Sequence, residues 1–232
     1  MRFLLCAVTV ALVCGAAFAY PSLHGPTGLV ALPTAESLPL AKVDLALDFA
    51  SVDSIDVVPL RATAGVGRGE LWALFANLDD GGGDIKGFGG KLPVYQVPMV
   101  GLKIALGLGV YNGSNGDGDV TALYIVGSQD LPRGRATIGL MLLDVNAAGI
   151  DERAARPFLG FELFAADGVT LAVEVRAKSD ALDSEAPQSV VVRKSLSKGL
   201  AVEAGVTNAA FLGLGADDNE FFAGIKYRLG AM

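Results

Sequence analysis

The sequence predicts an all-β fold: a closed, antiparallel, up-and-down transmembrane β-barrel of about twelve strands, behind an N-terminal signal peptide. Three observations predict it. Hydrophobic residues make up 52% of the 232 residues and mean hydropathy is +0.48, yet beyond the first nineteen residues no uninterrupted apolar run approaches the ~18–20 residues of a spanning helix. From residue 40 onward apolar residues recur with a period of two. The connections alternate between short and long. Strands that face lipid on one side and a polar interior on the other produce this combination.

Residues 1–19 read as a secretory signal peptide. Arg2 supplies the positive start, Phe3 to Cys14 an apolar stretch broken only by Thr9, and Ala17-Phe18-Ala19 the small-x-small cleavage pattern. The competing reading is a retained membrane anchor. A lipoprotein signal at Cys14 is disfavoured because Val13 stands where a small residue is wanted. Cleavage removes a single charge, so the net charge of −7 becomes −8. That balance argues against nucleic acid or an anionic lipid surface as partner. Both cysteines, Cys6 and Cys14, lie in this segment, which leaves the remainder with no disulfide, no thiolate metal ligand and no thiol nucleophile.

Residues 20–39 form a proline-containing leader or plug on the periplasmic side, and 40–232 the barrel. Strand alternation is clearest in four places. Val43, Leu45, Leu47 and Phe49 alternate with Lys42, Asp44, Ala46 and Asp48; Ile104, Leu106, Leu108 and Val110 with Lys103, Ala105, Gly107 and Gly109. Val169 to Val175 and Leu200 to Val206 repeat the pattern, with Glu174, Arg176 and Glu203 on the polar side. Eight further segments fit less cleanly: 58–67, 70–77, 84–92, 119–128, 134–144, 156–165, 188–196 and 220–229. Short turns are expected at 67–69, 93–98, 128–133, 166–168 and 197–198, and longer loops at 77–83, 112–118, 145–155, 179–187 and 208–219. Only the first hairpin, 52–57, is short where a long loop is expected. Acids collect in the long loops (Asp79, Asp80, Asp117, Asp151, Glu152, Asp180, Asp183, Glu185, Asp217 and Asp218) and read as solvated turn residues, with cation binding at the cell surface as the alternative.

The polar strand faces carry a mixed-charge set expected to point into the lumen: Asp44, Asp48, Arg61, Lys103, Glu162, Glu174, Arg176, Arg193, Glu203, Lys226 and Arg228. Such groups are tolerated inside only if paired or wetted. They suit either a structural network or a narrow water-filled pore. Catalysis is not expected, because His24 is the single histidine and lies in a Pro/Gly-rich leader. No cofactor or metal motif is complete. Asn112 to Asp119 lacks the sixth-place glycine and twelfth-place glutamate of a calcium loop. Gly65-x-Gly67-x-Gly69 and Gly87 to Gly90 lead into no helix and read as bends and turns.

Two segments carry resemblances. Gly224, Tyr227 and Leu229, near the chain end, are similar to the C-terminal targeting signal of outer-membrane barrels. This implies export to the bacterial outer membrane, with its lipid and the barrel-assembly machinery as partners; the usual terminal aromatic is replaced by Gly230-Ala231-Met232. Gly28-Leu29, then Pro33-Thr34-Ala35 and a first strand, resembles the N-terminal signature of predicted outer-membrane proteins linked to exopolysaccharide biosynthesis. It covers residues 25 to about 50, in a chain much shorter than those proteins. The resulting expectation is a non-catalytic outer-membrane barrel, either a narrow pore or a structural or export-linked component. The alternative is a soluble secreted β-barrel with an apolar ligand inside, which needs apolar residues to point inward.

Overall fold

The computed structural model describes residues 20–52, 55–78, 83–114, 118–147, 150–180, 182–183, 185–197, 199–209 and 215–230. The expected signal peptide, Asp79, Asp80, Asp117 and the tip of the first hairpin lie outside these residues. Two short strands come first, β1 (Tyr20–Pro21) and β2 (Thr27–Gly28), paired with each other. Twelve long strands follow: β3 (Val43–Val52), β4 (Ile55–Val66), β5 (Gly69–Leu78), β6 (Gly83–Val97), β7 (Leu102–Gly113), β8 (Gly118–Leu131), β9 (Gly134–Ala147), β10 (Ile150–Phe164), β11 (Val169–Arg176), β12 (Gln188–Ser197), β13 (Leu200–Ala209) and β14 (Gly215–Leu229). Each pairs antiparallel with its sequence neighbour. The sheet closes between β14 and β3, in a register that sets Leu229 opposite Val43. A closed ring leaves no unpaired backbone edge, a requirement for strands crossing lipid.

The faces follow the sequence alternation. Leu45, Phe49, Leu60, Phe75, Leu106, Leu108, Leu123, Leu159, Val173, Val192 and Ile225 are exposed on the outer wall, while Asp44, Asp48, Arg61, Glu174 and Lys226 are buried within. This places large apolar side chains outside and charges inside, the arrangement of a membrane barrel. The soluble alternative needs the reverse.

The connections depart from expectation. Among the described residues, strand pairing runs well into two of the five predicted long loops, 145–155 and 208–219. Ile150 pairs with Ala147, Asp151 with Asn146 and Arg153 with Asp144, so the 145–155 loop is largely ladder. Likewise 93–97 belongs to β6, with a bulge between Pro93 and Tyr95. Polar residues on both partners had suggested loop, whereas they mark strands that run past the apolar belt into solvent. Asp144, Asn146, Asp151 and Arg153 point outward there, and Arg153 pairs with Asp144 at 2.8 Å. Strands of up to 15 residues exceed the ~9–11 needed to cross a bilayer. Among the described residues the longest connection between ring strands lies between Arg176 and Gln188, with 181 and 184 not described, at the barrel end opposite both termini of the ring (the far end). Its Asp183 is buried rather than solvated, contrary to the reading of the acidic loops.

The glycines also depart. Gly67 is a turn residue with φ +59, as expected. Gly87 and Gly89, however, lie within β6, where a Cβ would fall 2.6 Å from the Tyr111 ring and 2.5 Å from the Trp72 ring. They make room for aromatic side chains inside the barrel rather than bending the strand.

Candidate functional site: the barrel interior

The interior is filled by the chain's own residues 20–38. All of 20–35 and Leu38 are buried, with Glu36 and Ser37 partly so. The stretch joins no strand of the ring and satisfies part of its backbone within itself, through the β1–β2 pairing and bonds such as Leu23 N–H to Val30 O and Leu29 N–H to Leu32 O. Its remaining backbone groups need partners elsewhere. Inward-facing side chains of the wall supply them. Thr63 on β4 donates to Gly25 O (2.8 Å), and Tyr111 on β7 to His24 O (3.0 Å). Arg193 on β12 donates to Leu29 O (2.9 Å), and Lys226 on β14 to Pro21 O (2.5 Å). On β8, Ser128 Oγ accepts from Ala35 N at 2.9 Å.

Two carboxylates act as anchors. Glu174 on β11 accepts the backbone N–H groups of Val30 (3.0 Å), Ala31 (2.8 Å) and Leu32 (3.1 Å), together with the Ser189 hydroxyl (3.0 Å). Glu70 on β5 accepts from Thr27 N, Thr27 Oγ1 and Leu38 N at 2.6 to 2.8 Å. Its cross-strand neighbour Lys91, 3.1 Å away, donates to Thr27 O and Thr34 O. Charge-assisted bonds of this kind are among the stronger ones available to a protein.

Apolar packing completes the plug. Leu23, Leu29, Val30 and Leu32 join Trp72, Leu74, Tyr111, Tyr124, Val126, Met141 and Phe158 in one buried cluster. Close approach depends on glycine. A Cβ on Gly160 would sit 2.0 Å from Leu29 Cδ1, and one on Gly25, at φ +115, would sit 2.3 Å from the Trp72 ring. Tyr20 lies between two guanidiniums, 5.4 Å from Arg193 and 5.2 Å from Arg228, in cation–π range. Burial, then the Arg176 and Arg61 charges, pulls the His24 imidazole down to about 3, so it is neutral at pH 7.

The structure places ten of the eleven expected lumen residues, all except Lys103, at 7% exposure or less. The barrel register pairs most of them. Arg228 grips Asp44 through two bonds (2.7 and 2.6 Å) across the closing seam, and Arg61 pairs with Asp48. Glu203 receives both Arg193 (2.9 Å) and Lys226 (2.7 Å). Lys103, partly exposed, contacts Glu36 and Asp130 (2.8 and 3.3 Å); Arg135 bridges Glu36, Asp130 and Glu162. Arg176 stands apart from these pairs. Of the targeting-strand residues, Tyr227 and Leu229 point outward, and Gly224 faces Asp48, whose Oδ1 a Cβ would overlap. Sequence reasoning missed Glu36, Glu70, Lys91, Arg135, Arg156 and Asp183. Glu70 shares an inward face with Trp72, Leu74 and Ala76, so no polar stripe announced it.

No family model and no curated protein matches the chain. Among solved structures it is similar to the KdgM porin (TM-score 0.60, 11% identity, covering 81% of this chain and 98% of that one). It is also similar to the NanC porin (TM-score 0.60, 10% identity, 80% and 98%) and to the outer membrane protein Omp33 of Acinetobacter baumannii (0.50, 12%, 82% and 98%). The closed twelve-stranded antiparallel barrel is therefore a porin-like fold.

Proposed function

We propose that this chain is an integral outer-membrane barrel held closed by its own N-terminal segment, and that it becomes a narrow polar pore when the segment leaves. The observation that carries this reading is the docking of residues 20–38 inside the barrel, bonded to inward-facing side chains of eight strands. Those bonds use side chains rather than a ladder, so the segment can depart without disturbing a strand pair of the ring. The outward apolar belt and the porin-like fold support lipid as the surrounding phase. The outward Tyr227 and Leu229 suit recognition by the barrel-assembly machinery.

Once vacated, the interior would expose carboxylates and guanidiniums together, which suits polar solutes over apolar ones. The segment that resembles exopolysaccharide-linked proteins is this same plug, which makes the export-linked role a second reading of one device. The membrane assignment is tested by cell fractionation with heat-modifiable gel migration. The expected result is an outer-membrane band that migrates faster unboiled than boiled; recovery as a soluble periplasmic protein would refute it.

A further inference from the structure

Among the described residues, buried cations inside the barrel have carboxylate partners, with one exception toward the far end. Arg176, the last residue of β11, is 2% exposed, and its Nε has no hydrogen-bond partner. Its Nη1 reaches only the Met141 sulfur, at 3.8 Å. No carboxylate among the described residues comes within ion-pair distance of it. A buried guanidinium with no carboxylate in pairing distance is costly, and a pre-set donor fork is what a planar oxyanion needs.

A second guanidinium stands beside it. Arg156 on β10 is 1% exposed and paired with Asp183 from the 177–187 strap. Pro157 explains how Arg156 is held. The Pro157 carbonyl accepts from Ala177 N at 2.9 Å, and its ring nitrogen, on the same strand edge, has no hydrogen to return. The Ala177 carbonyl is thereby left for Arg156 Nε at 3.1 Å. The strap is closed by the Ser179 N–H on Asp183 (2.7 Å) and by Arg176 N on Pro187 O (2.8 Å). The Asp183 carboxylate acts electrostatically on both arginines and Glu174 acts on Arg176 as well, without either pairing with Arg176; the neutral His24 adds no charge of its own.

We propose that Arg156 and Arg176 form an oxyanion-binding site toward the far end, for a carboxylate- or phosphate-bearing solute, in which Asp183 sits as an internal stand-in. A solute anion takes the place of Asp183, engages the free edge of Arg176 and releases the strap. The site is complete with the plug in place, so it stands independently of the pore reading.

The test uses residues 20–232, folded in detergent, with unfolding temperature followed against inorganic phosphate or glutarate at constant ionic strength in chloride. Asp183→Asn should unfold at lower temperature in chloride. It should recover saturably with at least one of the two anions, with half-saturation at least tenfold below that of the unsubstituted chain. Adding Arg176→Met should remove the response. The more effective anion identifies the class of solute. A response no stronger than in the unsubstituted chain, or one that survives Arg176→Met, overturns the site. Should Asp183→Asn fail to fold, Arg176→Met alone still decides: removing a buried charge with no carboxylate in pairing distance should raise the unfolding temperature in chloride, and a fall would overturn the proposal.

Discussion

Replacing Glu174 by glutamine probes the plug at its most concentrated anchor. Glu174 Oε2 takes the Val30 and Leu32 N–H groups, and Oε1 takes Ala31 N–H and the Ser189 hydroxyl. A glutamine carbonyl can keep one pair, but its NH2 then faces a third donor. Ser189 can turn to accept, whereas the Ala31 N–H cannot. One orphaned buried donor costs about 1–3 kcal/mol, and the retained bonds lose charge assistance at about 1 kcal/mol each. The glutamine spares the desolvation of a carboxylate on docking, which offsets part of this. The net is about 2 kcal/mol, or roughly 30-fold in the undocked fraction at 1.4 kcal/mol per decade. Because residues 20–232 contain no cysteine, Ser22→Cys is a unique reporter at a fully buried plug position. Maleimide labelling in detergent should be roughly 30-fold faster with Glu174→Gln than without it, with heat-modifiable migration unchanged. Equal rates in the two backgrounds would refute the anchoring role of Glu174.

Gly160→Val should act through sterics instead. Its Cβ meets Leu29 Cδ1 at 2.0 Å, and overpacking of about 1–3 kcal/mol should speed labelling of the same reporter, while Gly127→Val, whose Cβ has nothing nearer than 3.9 Å, should leave it unchanged. Leu108→Arg, on the outer belt of β7, should cost about 2–4 kcal/mol near the bilayer midplane and lower the folding yield in lipid vesicles; a barrel that lived in water would fold unchanged. Acid should loosen the plug. His24 sits at about 3 when docked and near 6.5 when free, so its contribution to docking is complete above pH 6.5 and is lost as pH falls toward 3. The open fraction should rise up to about tenfold per pH unit in that window, read as channel open probability, and His24→Asn should flatten that slope.

The ring was legible because the middle of its outer wall is an apolar belt. Val43 to Phe49, Ile104 to Val110, Val169 to Val175 and Leu200 to Val206 alternate against polar or small inward partners, and the structure keeps every one of those faces. Alternation blurred on β5, β8, β9 and β10 for one physical reason. There the plug lies against the wall, so Leu74, Val126, Leu143 and Phe158 point inward and are buried, and both faces of the strand read as apolar. The same plug hid Glu70, Lys91 and Arg135, whose significance comes from cross-strand register: Glu70 faces Lys91 and Arg135 faces Glu162. Register is a property of neighbouring strands, absent from either strand's own pattern. The long loops were misjudged because solvated strand ends and loops share one polar composition. Asp183 looked like any other loop acid; only the geometry brings it to Arg156.

Closure by the plug is tested most directly by single-channel current in planar bilayers, comparing residues 20–232 with residues 39–232. The longer chain should insert and stay closed, with rare brief openings, while the shortened barrel should conduct in steady steps. Equal steady conductance from both, or a shortened barrel that folds and inserts yet passes no current, would contradict a lumen sealed by its own N-terminal segment.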